Sequence, residues 1–483
     1  MADALALGAS AARHVGSNPT LGTIKNKFMR FISDLHIHSH YSRATSPDMN
    51  IADLDHWADD KGIQVMGTGD FTHPLYFQEI KEKLEPAEPG LFQLKKEFKK
   101  KTLKGTFADT RFLLSVEISG IYSKAGRVRR IHNLVFAPDF KTAEAINTHL
   151  SLVGNLKSDG RPILGLDAEK LAEIVFNINP EAVIIPAHAW TPWFAIFGSM
   201  SGFDSIEECF GKYSKNIFAI ETGLSSDPEM NWRLSKLDNL ALISNSDSHS
   251  LPKIGREANI FDTKLSYQGI FDAIKSGIPN FRKNLKHKTQ NIEPNFVATI
   301  EFFPEEGKYH FDGHRNCGVV FSPQDSKKHK NICPKCGRPL TIGVVNRVDQ
   351  LADRQIKIEK NGNYRSFNNF VPYYNLITLD GIISEALETS AISKKAKAEY
   401  ENLIKTFGSE LKILLETEIS DLEKSAHPKI AEAIKLVRGG KVKIEPGFDG
   451  EYGKISIFGK TKEIKKKSPK KSGKEPETQA KLF

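Results

Sequence analysis

The chain has 483 residues, an apolar share of 39% and a net charge of +9 at neutral pH, which admits two or three separately cored domains and excludes a fibre or a disordered polymer. No run reaches the ~18 apolar residues of a membrane helix, and no basic start leads into an apolar leader, so a cytoplasmic, nucleoid-associated protein with no membrane partner is expected. Four cysteines are too few for a disulfide-stapled scaffold, and three of them cluster, which points to metal.

In chain order, residues 1–27 are small and polar without periodicity and read as a flexible arm. Residues 28–290 alternate short β-rich runs with amphipathic stretches, the pattern of an α/β barrel. The runs are Arg30 to His38, Val65 to Asp70, Phe112 to Ser119, His132 to Pro138, Ala182 to His188, Phe218 to Thr222 and Leu240 to Asp247. Helices are expected over Ile51 to Lys61 and Asp167 to Asn177, each connecting parallel strands. The charged stretch from Leu75 to Asp109, with its lysines between Lys95 and Lys104, exceeds what a barrel connection requires and is expected over one mouth, within reach of substrate. Residues 291–355 form a Cys/His-rich module, and residues 356–458 form a helical domain with two or three helices and a terminal hairpin. Residues 459–483 read as a disordered basic tail with seven lysines between Thr461 and Lys474. Two basic runs suit an anionic polymer as partner.

Chemistry concentrates at the run ends. His36 and His38 are two residues apart on one strand, so both imidazoles lie on one face where their nitrogens converge. The following ends carry Asp70 with His73 close behind, Glu117, His132, His188, and then Asp247 with His249. In an α/β barrel such ends gather in one bowl. An all-imidazole and carboxylate set suits Zn, Mn, Fe or Mg in a hydrolytic centre rather than an electron-transfer site. Arg43 and Arg256 lie near ligand motifs and are candidates to clamp a phosphate, since a guanidinium forks onto two oxygens. Trp190, Trp193 and Phe194, just beyond His188, are candidate stacking surfaces for a base.

His314 and Cys317, fifteen residues, then Cys333 and Cys336 make H-x2-C and C-x2-C, close to a four-ligand structural zinc site. His310 and His329 rival His314 for the non-cysteine place. Cys209 stands apart and reads as a buried small hydrophobe. The last five residues, with Gln479, Leu482 and Phe483, resemble the short motif by which bacterial proteins dock on the sliding clamp, and a tether there would raise local concentration near DNA.

The ligand motifs at His36, His38, Asp70, Glu117, His132, His188, Asp247 and His249 resemble those of the polymerase and histidinol phosphatase (PHP) superfamily. That resemblance implies an α/β, distorted seven-stranded barrel holding two or three catalytic divalent metals, with Glu117 and Asp247 central to catalysis. It departs after His38, where Ser42-Arg43-Ala44-Thr45 stands in place of a further ligand; two or three ions remain open, as does Asp70 against His73. The pairing of this barrel with a zinc module resembles the endonuclease Q family of DNA-repair enzymes. The resemblance implies hydrolysis of the phosphodiester 5′ of uracil, hypoxanthine, xanthine or an abasic site in damaged DNA, with the nucleotide flipped out of the stack. A phosphatase or exonuclease of the same superfamily, or a non-catalytic DNA-binding zinc protein, are the competing expectations.

Overall fold

The computed structural model describes residues 28–285 and 295–459; the N-terminal arm, the basic tail and the clamp-like residues Gln479, Leu482 and Phe483 lie outside them. Seven strands enclose the site: β1 (Phe28–Asp34), β2 (Val65–Gly67), β3 (Arg111–Lys124), β4 (Arg127–Ala137), β5 (Val183–Pro186), β6 (Ala219–Glu221) and β7 (Ala241–Ile243). β1, β2 and β3 pair in parallel, as do β6 and β7. β5 reaches β6 through the Ala189 N–H, which donates to the Glu221 carbonyl at 2.9 Å. The ring closes between β7 and β1 where Ile37 bridges Ser248 in parallel.

The barrel is distorted because β3 and β4 form a long antiparallel hairpin, and β4 runs antiparallel to β5 as well. The sequence reading expected parallel neighbours joined by crossovers; only Ala125 and Gly126, both at positive φ, separate these two strands, and so short a connection permits only antiparallel pairing. One apolar cluster draws on all seven strands, including Phe31, Val65, Leu113, Phe136, Ile185, Ala219 and Ile243, together with helix Tyr267–Ser276. Only the barrel interior touches all of these at once. Leu113 and Glu117 share a face by the two-residue period, so the same side of β3 supplies the packed floor and the carboxylate above it.

The first helix forms as its sequence dictates. Asn50 caps it by accepting the Asp53 N–H, Ile51, Leu54 and Ala58 are buried, and Gly62 stops it at φ 91°. The stretch from Leu75 to Asp109 has secondary structure of its own. It forms a helix (Pro74–Lys83) and a small hairpin that adds to the start of β3 through Phe92 and Phe112. Lys100 and Lys104 pair with Asp53 and Asp59 of the first helix at 2.5 Å each, because that helix presents its acids to the excursion.

Beyond the barrel, strand Ala258–Lys264 pairs antiparallel with β1, and Asn295–Glu301 pairs antiparallel with it in turn. The barrel sheet thus runs past residue 290 and receives Tyr373–Asn375 in parallel. The region expected to hold two or three helices contains five, from Leu379–Ala386 to Pro428–Arg438; Gly408 at φ 106° and Pro428 at a helix start divide what periodicity alone reads as continuous. The expected terminal hairpin is present at Lys443–Glu445 and Lys454–Ser456.

A buried ion pair joins the helical region to the barrel. Lys61, 1% exposed, donates to Glu410 at 2.6 Å and to the Pro252 carbonyl at 2.7 Å. Glu410 also accepts from Tyr400 and from the Leu379 N–H. Removing one partner leaves an uncompensated buried charge, whereas replacing both with apolar groups does not. Glu410→Ala should therefore lower the free energy of urea unfolding by about 3–5 kcal/mol, and a Lys61→Met, Glu410→Leu double variant should recover most of that loss.

Candidate metal centre and adjoining cavity

Two ligand sets meet on one carboxylate. His36, His38, Glu117 and Asp247 place one ligand atom each within 4.8 Å of one another, and Glu117, His132 and His188 do the same. Glu117 Oε1 lies 2.6 Å from His132 Nδ1 and 2.9 Å from His188 Nε2. Its Oε2 lies 3.3 Å from His38 Nε2 and 3.1 Å from Arg161 Nη1. The other imidazole nitrogens are held from behind: His36 Nδ1 is 3.0 Å from the Glu221 carboxylate, and His38 Nδ1 is 3.1 Å from Asp70.

Glu221 also accepts from Asn245 and from the His188 N–H, so one buried carboxylate orients two ligands. Asp70 accepts from the Ser39 N–H, Ser39 Oγ and Ser42 Oγ. The loop from Lys157 to Arg161 seals that side, since a Cβ on Gly160 would lie 2.4 Å from the Asp70 carboxylate. Asp70, His188 and Asp247 all hold positive φ, at 49°, 30° and 46°, a strained conformation that clusters at functional sites.

The electrostatics follow from burial and proximity. Burial alone raises a carboxyl, but His132 and Arg161 outweigh it at Glu117 and hold that group well below the usual carboxylate range. His36 and His38 do the same for Asp247 against its own burial. Burial pushes His132 down to about 4 despite Glu117. His36 Nε2, His38 Nε2 and Asp247 Oδ1 are buried without a hydrogen-bond partner, although the two nitrogens lie 3.6 and 3.1 Å from that oxygen. Lone pairs left unsatisfied and aimed at one point fit divalent cations.

The candidates from sequence distribute as follows. His36, His38, Glu117, His132, His188 and Asp247 converge. Asp70 backs His38 instead of facing the shared centre. His73 stacks on Tyr41 with ring centroids 4.2 Å apart, and its Nε2 meets the Lys157 carbonyl. His249 lies at the rim, its ring 4.4 Å from His38 and its Nδ1 3.0 Å from the Asp247 carbonyl. Arg43 is 73% exposed in its side chain and pairs with Asp159. Arg256 donates to the Ser246 and Asp247 carbonyls, which fixes the loop carrying Asp247. Trp190 presents no face to a base: it is 1% exposed, stacks near Phe197 and donates to Asn231 at 2.7 Å, so the Trp190 expectation gives way to a core role. Two central residues were given no role from the sequence, Glu221 and Arg161.

A cavity of about 590 Å³ opens beside the centre. Its walls include Trp193, Phe194 and Tyr309, with cationic Arg130, Lys253 and Arg256. Phe194 lies 4.7 Å from the His132 ring, which joins the cavity to the ligand cluster.

The thiol site is separate. His314, Cys317, Cys333 and Cys336 bring one ligand atom each within 4.8 Å, on the hairpin Asp312–His314 with Val319–Phe321 and on the turn closed by the Gly337 N–H to the Cys333 carbonyl. A tetrahedral zinc fits this donor set. Of the rival histidines, His310 is buried elsewhere and His329 stacks on Phe321. Cys209 is fully buried, and burial pushes its thiol up.

The described residues include no helix long and apolar enough to cross a membrane. The family model of the MJ0043 C-terminal domain matches residues 378–441. Protein MJ0043 of Methanocaldococcus jannaschii is 35% identical over 305 residues, 61% of this chain and 36% of that protein, so this chain spans about a third of that relative. YqxK of Bacillus subtilis is 28% identical over 82% of this chain and 89% of its own length. Among solved structures, the lesion-specific endonuclease PfuEndoQ of Pyrococcus furiosus aligns at TM-score 0.73 and 28% identity, over 90% of this chain and 98% of that one. Endonuclease Q in complex with a 27-mer duplex substrate, an abasic lesion at its active site, aligns at TM-score 0.72 and 30% identity, over 89% and 97%.

Removing the Glu221 carboxylate frees His36 Nδ1, Asn245 and the His188 N–H together. Outer-shell partners of this kind typically hold about 10–100-fold in metal affinity, so Glu221→Ala should shift a chelator-competition midpoint by that factor with the circular dichroism spectrum unchanged. An unmoved midpoint would take Glu221 out of the centre.

Proposed function

This chain belongs to the endonuclease Q family, of PHP-type fold, and from that premise we propose that it is a DNA-repair endonuclease. It hydrolyses the phosphodiester 5′ of deaminated bases (uracil, hypoxanthine, xanthine) and of abasic sites. The observation that carries this reading is the sharing of Glu117 between two converging ligand sets, one of them with three unsatisfied ligand atoms, beside an aromatic and cationic cavity large enough for a nucleoside.

His36, His38, Glu117, His132, His188 and Asp247 would hold two catalytic divalent ions, of Zn, Mn or Mg, and His249 at the rim is the candidate to help hold a third. Such ions supply Lewis acidity toward a phosphoryl oxygen and a water acidic enough to attack at neutral pH. The chain's own residues do the remainder. Glu221 and Asp70 fix the imidazole orientations of His36 and His38. Arg161 is anchored on Glu117 through one nitrogen and offers its others to the scissile phosphate, a geometry a guanidinium suits. Arg43, exposed and tethered to Asp159, takes a backbone phosphate further along the strand. Arg256 holds the Asp247 loop and turns toward the cavity. Trp193 and Phe194 give an extruded nucleotide the apolar and aromatic surface that replaces its lost stacking.

His314, Cys317, Cys333 and Cys336 would hold one structural zinc, whose role is to order the module that supplies Tyr309 to the cavity wall. Clamp docking through Gln479, Leu482 and Phe483 rests on the sequence alone.

The test is a panel of labelled duplexes, each with one uracil, hypoxanthine or abasic site, incubated with a divalent metal and with chelator. A metal-dependent cut immediately 5′ of the lesion is expected. Asp247→Ala should abolish it, and Arg161→Ala should lower kcat by about 10²-fold with little change in KM. An inert panel beside rapid hydrolysis of nitrophenyl phosphate would instead make the chain a phosphatase.

A further inference from the structure

The cavity beside the centre contains one carboxylate, and nothing above uses it. Glu306 ends the short helical turn Pro304–Glu306. Its backbone is fixed on both sides: its N–H donates to the Phe303 carbonyl at 3.0 Å, and its carbonyl accepts from Gly453 at 3.1 Å. Among the described residues no hydrogen bond or ion pair engages its carboxylate, which lines the cavity alongside Lys253 and Arg256. Among the described residues Lys253 has only a distant ion pair, 3.9 Å from Asp380. A half-buried carboxylate without donors is costly to keep, and burial pushes this one up to about 7. A group placed so is short of an N–H.

We infer that Glu306 and Lys253 together read the edge of an extruded base that deamination changes. The inference rests on the nuclease reading above. In cytosine and adenine that edge pairs a ring nitrogen bearing a lone pair with an exocyclic amino group. In uracil and hypoxanthine it pairs a ring N–H with a carbonyl. In its ionised form, which the Lys253 and Arg256 cations beside it favour, the carboxylate accepts the N–H and repels the lone pair; an ammonium donates to the carbonyl and has nothing to accept from the amino group. The two side chains of opposite sign therefore complement the deaminated edge and oppose the original one twice over. A site that hydrogen-bonds its ligand rejects an analogue lacking the match, because its buried polar groups are then left unpaired. Thymine and guanine carry the same edge. Their exclusion falls to their intact pairing in the helix and to the extra methyl or amino group against the Trp193 and Tyr309 walls.

An abasic site has no edge to read, which separates this inference from the reading it rests on. Single-turnover nicking is compared on three duplexes identical but for one uracil, hypoxanthine or abasic site, with wild type, Glu306→Gln and Glu306→Asp. For Glu306→Gln, the ratio of uracil to abasic rates and of hypoxanthine to abasic rates should each fall by about tenfold or more, with Glu306→Asp in between. Nicking of the abasic duplex shows that the variants fold. Unchanged ratios would overturn the role of Glu306. A wild-type chain inert on all three duplexes would overturn the nuclease reading and this inference together, a result visible before any variant is made.

Discussion

Holding Glu117 ionised away from water, and Asp247 ionised at the edge of the same centre, is the constraint on which the rest of this structure depends. A buried carboxylate without compensation takes up a proton, and a protonated acid neither bridges cations nor anchors an arginine. The chain meets the constraint by surrounding Glu117 with His132, His188, His38 and Arg161, and Asp247 with His36 and His38. Those bases need anchoring in turn, and Glu221 and Asp70 provide it one layer out. Charge of alternating sign thus extends from the centre to the barrel wall. The strained φ values at Asp70, His188 and Asp247 are the backbone's share of the same arrangement, tolerated because each side chain is fixed by partners on other strands.

The barrel's irregularity serves that geometry. In an all-parallel barrel only strand ends face the bowl, whereas the β3–β4 hairpin lets Glu117 and His132 approach from antiparallel neighbours. Their register sets Ser119 opposite His132 and Leu134 opposite Glu117, so the two functional residues are diagonal neighbours on one face and touch at 2.6 Å. The hairpin also carries Arg130 toward the cavity wall. One antiparallel pair therefore supplies the shared carboxylate, a converging imidazole and part of the cavity wall.

The convergence of these side chains was largely legible in the sequence because the strand period places them, and a two-residue period at a run's end is a local signal. Glu221 obeys the same rule at the end of β6 and was open to the same reading. Arg161 carries no such signal: it sits on an aperiodic loop, brought to Glu117 by the Ser119 N–H, which donates to the Pro162 carbonyl, and by the approach of Gly160 to Asp70. The β3–β4 direction was hidden for a related reason, since alternation marks a strand without saying which neighbour it joins. Trp190 shows the converse limit. An aromatic beside a ligand looks functional in one dimension, but Asn231, forty-one residues away, takes its N–H into the core. The lysines of the Leu75 to Asp109 stretch suggested a polymer surface; two of them instead answer acids of the first helix.

Reaction and recognition occupy different parts of the chain. Every converging ligand belongs to the barrel, and such a cluster serves any phosphoester. The cavity proposed to distinguish substrates is composite: Phe194 and Arg256 come from the barrel, Glu306 and Tyr309 from the segment leading to the Cys/His module, and Tyr452 from the terminal hairpin. Its shape therefore depends on how firmly these parts hold together. Arg347 ties the module to the barrel through the Phe197 and Phe203 carbonyls and Asp204, and Arg354 pairs with Asp238. Lys61 and Glu410 tie the helical region to the first barrel helix. A substitution at Arg347 touches none of the converging ligands while loosening the module whose leading segment carries Glu306 and Tyr309. Selectivity is accordingly the property most exposed to changes far from the metal centre, and hydrolytic competence the least.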